Sequence, residues 1–381
     1  MTHLVRVRAC LCALTSLACI ALLAPGAASA QDNPLADKRQ VIDCELGHLR
    51  GAAPYSVWPS VWRYQRSGDA EKAALLEKIA HVPQVKWLAG DSVRPKPGSP
   101  LESFVSNILA SPYGGPNCND RLTPGEARDD PYLGDYPIFA IRILQHEDCS
   151  SGYDGGGPWN RVENGLYMPW IEAFIRGLEP IGGQAAVIVE PDGLPVIPDC
   201  LSRRAGKQRL ALMRAVTKRL GQEPGIASYI DVGSSSWLRR GAALKLLRRS
   251  GVANIRGFAL NTTHFNYTRR ELRYGNWLAR KLGGKRYVVN TAENGRGAIE
   301  GPKNFCNPRN AGLGTIPTTD TGSPFADAYL WISRPGLSSN GHGGQNQCGV
   351  GPGGNVFWEP KALWEARQAT FKVAPWPPKP L

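Results

Sequence analysis

From about residue 137 onward, short runs of continuous apolar residues alternate with longer stretches whose apolar positions recur every three or four residues. The runs predict strands at 138–144, 186–189, 227–232, 255–260, 287–290 and 328–333. The longer stretches predict helices at 161–177, 207–220, 237–250 and 269–282; in one of them Leu210, Met213, Val216 and Leu220 form a stripe. Upstream, 83–90 reads as a further strand ending near Trp87, and 70–80 and 101–109 as helices. Regular alternation of strand and helix argues for parallel strands joined by crossover helices. Seven strands are expected, with a last helix over 361–371. The stretch that organises the rest is Ala185–Leu194, AAVIVEPDGL. An apolar run of this kind belongs to a strand buried on both faces. Pro191 lacks an N–H for the ladder and ends the strand. Asp192 then falls just past the strand's C-terminal end, where barrels of parallel strands display catalytic groups. The alternative for Asp192 is a loop aspartate capping the next helix.

The ends of the chain read differently. Arg6 and Arg8, an apolar run from Cys10 to Leu23 and the A-x-A sequence Ala28-Ser29-Ala30 predict a secretory signal over 1–30. The apolar run is too short to span a bilayer, and no later stretch is apolar enough, so no membrane span is expected. Residues 31–375 are expected to form one catalytic domain, with a loose Pro-rich tail at 376–381. Residues 31–70 read as a mixed lead-in, and 91–136, rich in Pro, Gly and Asp, as a surface excursion.

Charge and cysteines refine this picture. The formal charge is +13, yet the Lys and Arg look scattered apart from pairs such as Arg239-Arg240 and Arg248-Arg249. No basic block is interleaved with aromatics, so nucleic acid is not expected as a partner; solubility or adhesion to acidic envelope material accounts for the charge. Six cysteines lie beyond the predicted signal: Cys44, Cys118, Cys149, Cys200, Cys306 and Cys348. In an exported chain an even number implies disulfides of open connectivity. Without a C-x-x-C pair or clustered histidines, neither a metal nor any other cofactor is expected. The domain is expected to be a monomer.

Polar and aromatic residues recur just after the predicted strands: Trp87, Asp148, Asp192, Asp231 with Trp237, Asn261 with His264, Asn290 with Asn294, and Trp331 with Arg334. Tryptophan faces stack on sugar rings while amides and carboxylates meet hydroxyls. The alternative is that the tryptophans are core and the asparagines turn formers. Glycosidic hydrolysis needs a carboxylic acid to protonate the leaving oxygen, with a pKa raised by burial or a neighbouring carboxylate. Asp192 fits that acid, and Glu147 with Asp148 could supply the neighbouring charge. There is no G-x-S-x-G elbow, and the Gly-rich run 341–354 lacks the Lys-Ser/Thr of a phosphate loop.

In order along the chain, EDCSSGYDGGG, VIVEPDGL, YIDVGSSSW, GFALNTTHFN, VVNTAENGRG, FCNPRNAGLG and DAYLWISRPG resemble the blocks of glycoside hydrolase family 6, the inverting endoglucanases and cellobiohydrolases. The resemblance implies an α/β fold, a distorted seven-stranded parallel β/α barrel, and a β-glucan substrate. It assigns the general acid to Asp192 and the aspartate that supports it to Asp148. It places Trp87, Trp237, Asn261, Phe305, Trp331 and Arg334 against substrate. It pairs Cys149 with Cys200 and Cys306 with Cys348, leaving Cys44 with Cys118.

The departures from the family pattern are specific. Glu147 stands for an arginine, Arg142 for a tyrosine, Phe305 for a tryptophan and Ala89 for an aspartate. The family's P-G-E-x-D-G segment, which holds its proposed base, reads Pro335-Gly336-Leu337-Ser338-Ser339-Asn340-Gly341. An amide at Asn340 cannot accept the proton. Two readings follow: a secreted inverting β-1,4-glucanase, or a glycan-binding relative with weak or no hydrolysis.

Overall fold

The structure, a computed structural model, describes residues 33–41, 57–89, 100–110, 136–144, 165–297, 307–339, 350–353, 356–375 and 379–381. Seven strands form one sheet in sequence order: β1 (Lys86–Ala89), β2 (Ile138–Arg142), β3 (Ala185–Val189), β4 (Ile226–Asp231), β5 (Gly257–Leu260), β6 (Arg286–Asn290) and β7 (Ala326–Leu330). Every adjacent pair is parallel. The helices are α1 (Trp58–Ser67), α2 (Ala70–Ala80), α3 (Leu101–Ala110), α4 (Tyr167–Leu178), α5 (Val196–Cys200), α6 (Arg203–Leu220), α7 (Arg240–Arg249), α8 (Thr268–Lys281) and α9 (Glu359–Arg367). The predicted α/β class and seven-stranded parallel barrel are what is observed.

The sheet curls until its edges meet. β7 and β1 do not share a ladder; the seam carries Val85 N–H donating to Trp331 O at 2.8 Å and the Trp87 indole N–H donating to Ile332 O at 2.6 Å. Side chains alternate across each strand. Those pointing inward include Ala140, Ala186, Ala227, Ala259 and Ala328, small residues that suit a tightly curved interior. Those pointing outward, such as Phe139, Val187, Ile230, Phe258 and Val289, pack against the crossover helices. Phe139 meets Phe174 of α4 edge-on at 5.6 Å.

Part of the mixed lead-in is helical: α1 spans Trp58–Ser67 and packs with α2 and α9 as a side layer around Val61, Leu76, Ile79, Trp331, Leu363 and Ala366. The expectation of a loose C-terminal end is corrected at its last residue. Leu381 is buried, its N–H donates to Lys38 O, and its carbonyl accepts from Asp37 N–H. It plugs the end of the barrel where the strands begin, beside Leu35 and Tyr136. Burial of the Leu381 side chain, together with its two backbone hydrogen bonds, offsets the conformational freedom of a terminal residue. Among the described residues no helix is long and apolar enough to cross a membrane.

Candidate active site

The opposite end of the barrel collects the polar residues. β3 exits into a turn in which Gly193 N–H donates to Glu190 O at 2.8 Å. Glu190 and Asp192 both have positive φ, 49° and 67°, and so does Asn261 after β5, at 65°. Non-glycine residues in this region carry strain that surrounding contacts must hold. Those contacts are present. The buried Glu190 carboxylate accepts from the backbone N–H groups of Ile143 and Leu144 and from the Tyr167 hydroxyl, so it fastens the β3 exit to β2 and α4.

Asp192 is held from three sides. Its backbone N–H donates to Asp231 Oδ2 at 2.8 Å, its Oδ1 accepts from the Thr263 hydroxyl at 2.7 Å, and Arg142 Nη2 stands 3.9 Å from Oδ2. Its side chain remains 12% exposed, enough to meet a ligand at the strand ends. Asp231, the last residue of β4, is fully buried and also accepts from Gly233 N–H and the Thr262 hydroxyl. Its carboxyl is pushed up to about 8, first by burial and then by the charge of Asp192; the three donors oppose the shift. Asp231 was noted in the sequence as a strand-end residue but given no role. Its signal is a carboxylate closing a buried strand beside the one that leads to Asp192.

Trp237 lies on the loop between β4 and α7. It is half-buried, donates its indole N–H to Asp199 Oδ2 at 2.5 Å, and faces the His264 ring at 5.1 Å. Its loop is tied down by Glu271, whose buried carboxylate accepts from the N–H and hydroxyl of Ser235 and from the Asn266 amide, and by the Tyr274 hydroxyl on Leu238 O. His264 is held below its ordinary pKa, mainly by burial, against an opposing pull from Asp192.

The other predicted contacts separate into groups. Asn261 is fully buried with both amide ends used, to Asn266 and to Asn290 O. It holds the β5 exit in shape and has no end left for a sugar, which corrects the expectation. Trp331 is corrected as well: it is 0% exposed, donates to Thr315 O and packs near Phe371. An indole enclosed in the side layer cannot stack on substrate. Trp87 is half-buried at the seam, and Arg334 is half-buried in a turn closed by Leu337 N–H. Asn290, noted in the sequence without a role, ties β5, β6 and β7 together. Its amide reaches Asn261 O and Ser333, and its Oδ1 accepts from Ile332 N–H. Asp148, Phe305, Asn340 and the cysteines other than Cys200 lie outside the described residues.

The turn at 336–338 rests on a buried charge cluster. Lys361 Nζ lies 2.7 Å from Glu293 Oε1 and 3.5 Å from Glu365 Oε1, and donates to Leu337 O. Glu365 accepts from Gly336 N–H, and burial drives its carboxyl well above the usual range. The family model of glycosyl hydrolases family 6 matches residues 54–355, which covers the whole strand series.

The chain belongs to that family.

Endoglucanase A of Cellulomonas fimi is 28% identical over 310 residues, covering 81% of this chain and 60% of that protein. The probable 1,4-beta-D-glucan cellobiohydrolase C of Aspergillus fumigatus is 26% identical over 301 residues, covering 69% of this chain and 61% of that one. The chain thus spans about three fifths of these two relatives' lengths. Among solved structures, the endoglucanase Cel6 of Mycobacterium tuberculosis, in complex with methyl-cellobiosyl-4-deoxy-4-thio-β-D-cellobioside, is 32% identical with a TM-score of 0.69. The match covers 88% of this chain and 99% of that one.

Proposed function

We propose that this family 6 member hydrolyses the β-1,4 bonds of a glucan with inversion, and that Asp192 is its general acid. The observation that carries the reading is the setting of Asp192. It stands at the exit of a buried strand in a strained turn, with its side chain partly open and its backbone tied to a second carboxylate, Asp231. Protonation of the leaving oxygen by a positioned carboxylic acid is the step that an inverting glycosidase requires at this point. Trp237, with a half-buried ring beside His264 on the same side, is the proposed sugar platform. The cellobioside ligand of the related endoglucanase structure supports a cello-oligosaccharide class of substrate.

Inversion also requires water to be activated on the opposite face of the ring. Asn340 cannot take that proton, and Asp148 is proposed to receive it through water. Export by the 1–30 signal and the pairing of Cys149 with Cys200 and Cys306 with Cys348 belong to the same proposal. A second reading, a glycan binder with weak hydrolysis, is favoured by one observation. Arg142, where the family has tyrosine, places a cation 3.9 Å from the proposed acid, and a cation favours the form that has already lost its proton.

Reducing-sugar release from soluble neutral β-glucans, with the anomer followed by NMR, separates the two. Hydrolysis giving the inverted anomer, nearly eliminated by Asp148→Ala, supports the enzyme. Binding without turnover supports the second reading, and retained configuration rejects the mechanism.

A further inference from the structure

Counted by element, the basic residues are not scattered as the sequence suggested. Residues 203–286 hold 20 of the 45 Lys and Arg but only 3 of the 32 Asp and Glu. This segment therefore carries +17 and the remainder of the chain −4, against +13 overall. The segment contains α6, α7 and α8, three successive crossover helices on neighbouring strands β4, β5 and β6. Arg214 of α6 donates to Arg249 O of α7, and Arg248 of α7 to Lys281 O of α8, so the three lie side by side as one wall. Fifteen of the 20 cations are exposed. Of the three acids, Asp231 and Glu271 are buried, and Glu223 is only part-exposed and paired with Arg219. None of the fifteen is in an ion pair among the described residues.

Helix stability does not account for this placement. Arg203, Arg204, Arg239, Arg240, Arg269 and Arg270 stand at the N-terminal ends of α6, α7 and α8, where the helix dipole disfavours positive charge. Like charges spread over one wall also repel one another. Crossover helices run opposite to their strands, so these six arginines lie on the side of the barrel that holds Asp192. The remaining charges continue down the wall to Lys218, Arg249 and Arg280.

We infer that the α6–α7–α8 wall is a docking surface for an acidic polysaccharide, a flexible chain bearing carboxylates, distinct from the cleft that would take a neutral glucan. Eleven of the fifteen exposed cations are arginines, whose planar fork matches a carboxylate in two bonds. Within the three helices no large apolar side chain is exposed; the exposed ring that borders them is Tyr267, at the N-terminal end of α8 and covered by the Arg269 guanidinium, so the wall offers little to insert into a bilayer. A flat membrane touches a convex wall along one strip, whereas a flexible polyanion can follow all three helices from the cleft side to the far end.

The test compares two variants of the full chain with equal loss of charge. One replaces Lys207, Lys218, Lys245, Arg273 and Arg280 on the wall by Gln; the other replaces Arg66, Arg309, Arg367, Lys372 and Lys379, exposed elsewhere, by Gln. Binding to polygalacturonate is measured against salt, with phosphatidylglycerol vesicles and duplex DNA as comparison ligands. Circular dichroism melting verifies the fold, and turnover of a neutral β-glucan is followed separately. The expected result is salt-sensitive binding to polygalacturonate that the wall variant weakens by about tenfold or more, while the control variant stays near the parent protein. Neutral-glucan turnover, whether present or absent in the parent, should be the same in all three, so failure of the hydrolase reading leaves this test intact. Equal loss in both variants, tighter binding to vesicles or DNA than to polygalacturonate, or no binding to polygalacturonate would overturn the inference.

Discussion

The backbone N–H of Asp192 donates to the side chain of Asp231 at 2.8 Å. The proposed acid is therefore positioned through its main chain by a buried carboxyl, while its own carboxylate meets Thr263 at one oxygen and Arg142 near the other. This division of labour lets each residue be tested separately.

Asp192→Asn removes the proton donor while keeping the shape of the turn. Turnover of unactivated cello-oligosaccharides is expected to fall by about a hundredfold to ten-thousandfold. Aryl cellobiosides with strongly acidic leaving groups need less protonation and should lose much less. Equal losses on both substrate types would argue against an acid at this position.

Asp231→Asn addresses pH. The carboxyl is pushed from 3.8 to about 8 in the fold, so between these values the folded protein holds a proton that the unfolded chain has released. Its contribution to stability is fully present below the unfolded value and is lost as pH rises through the folded one. His264 acts in the other direction. Burial lowers its pKa from 6.5, so its contribution is present above 6.5 and lost as pH falls. An asparagine at 231 cannot titrate. The Tm of the parent relative to Asp231→Asn should therefore decline from pH 5 to pH 8, and a constant difference would show that the carboxyl is ionised throughout.

Arg142→Tyr restores the residue usual in the family and removes the cation 3.9 Å from Asp192. Loss of a neighbouring positive charge favours the protonated carboxyl. The alkaline limb of kcat/KM is expected to move up by roughly one pH unit. A pH–rate profile that does not move would show that the guanidinium exerts no effective field on the acid.

Lys361→Met leaves Glu293 and Glu365 buried without their shared cation. Breaking a buried pair on one side costs about 3–5 kcal/mol, measurable by denaturant titration. Adding Glu293→Gln to the same chain should recover part of the loss, because the carboxylate left without its cation at 2.7 Å is then absent.

The strand series was legible because buried parallel strands leave uninterrupted apolar runs, and AAVIVEPDGL located β3 and the turn after it directly. Boundaries slipped where a run continued past its ladder: β7 ends at Leu330, while Trp331 and Ile332 stay apolar because the side layer and barrel interior cover them. The same cover explains why a tryptophan after a strand was misleading at 331. Exposure is decided by α1, α2 and α9, which come from opposite ends of the chain, and no local pattern carries that information. Asn261 misled for a related reason. An asparagine after a strand has the same composition whether its amide faces a ligand or, as here, locks a left-handed turn. The charge wall escaped a search for contiguous basic blocks because its cations are separated in sequence by apolar turns of helix and are joined only by the packing of three helices.

The seam between β7 and β1 gives the barrel a preferred place to open. Every other junction is a ladder of paired residues, whereas this one, among the described residues, has no ladder and carries bonds from the amide of Val85 and the indole of Trp87. The α1–α2–α9 layer, built around Trp331 and reaching from Val57 to Ala374, lies over that weak line like a splint. Mechanical or thermal load should therefore reach the two terminal regions first, and the amide of Val85 should exchange its hydrogen sooner than those inside the ladders of β3 and β4. In this architecture the durability of the cleft is set by how firmly the chain's two ends clasp each other around an unzipped edge.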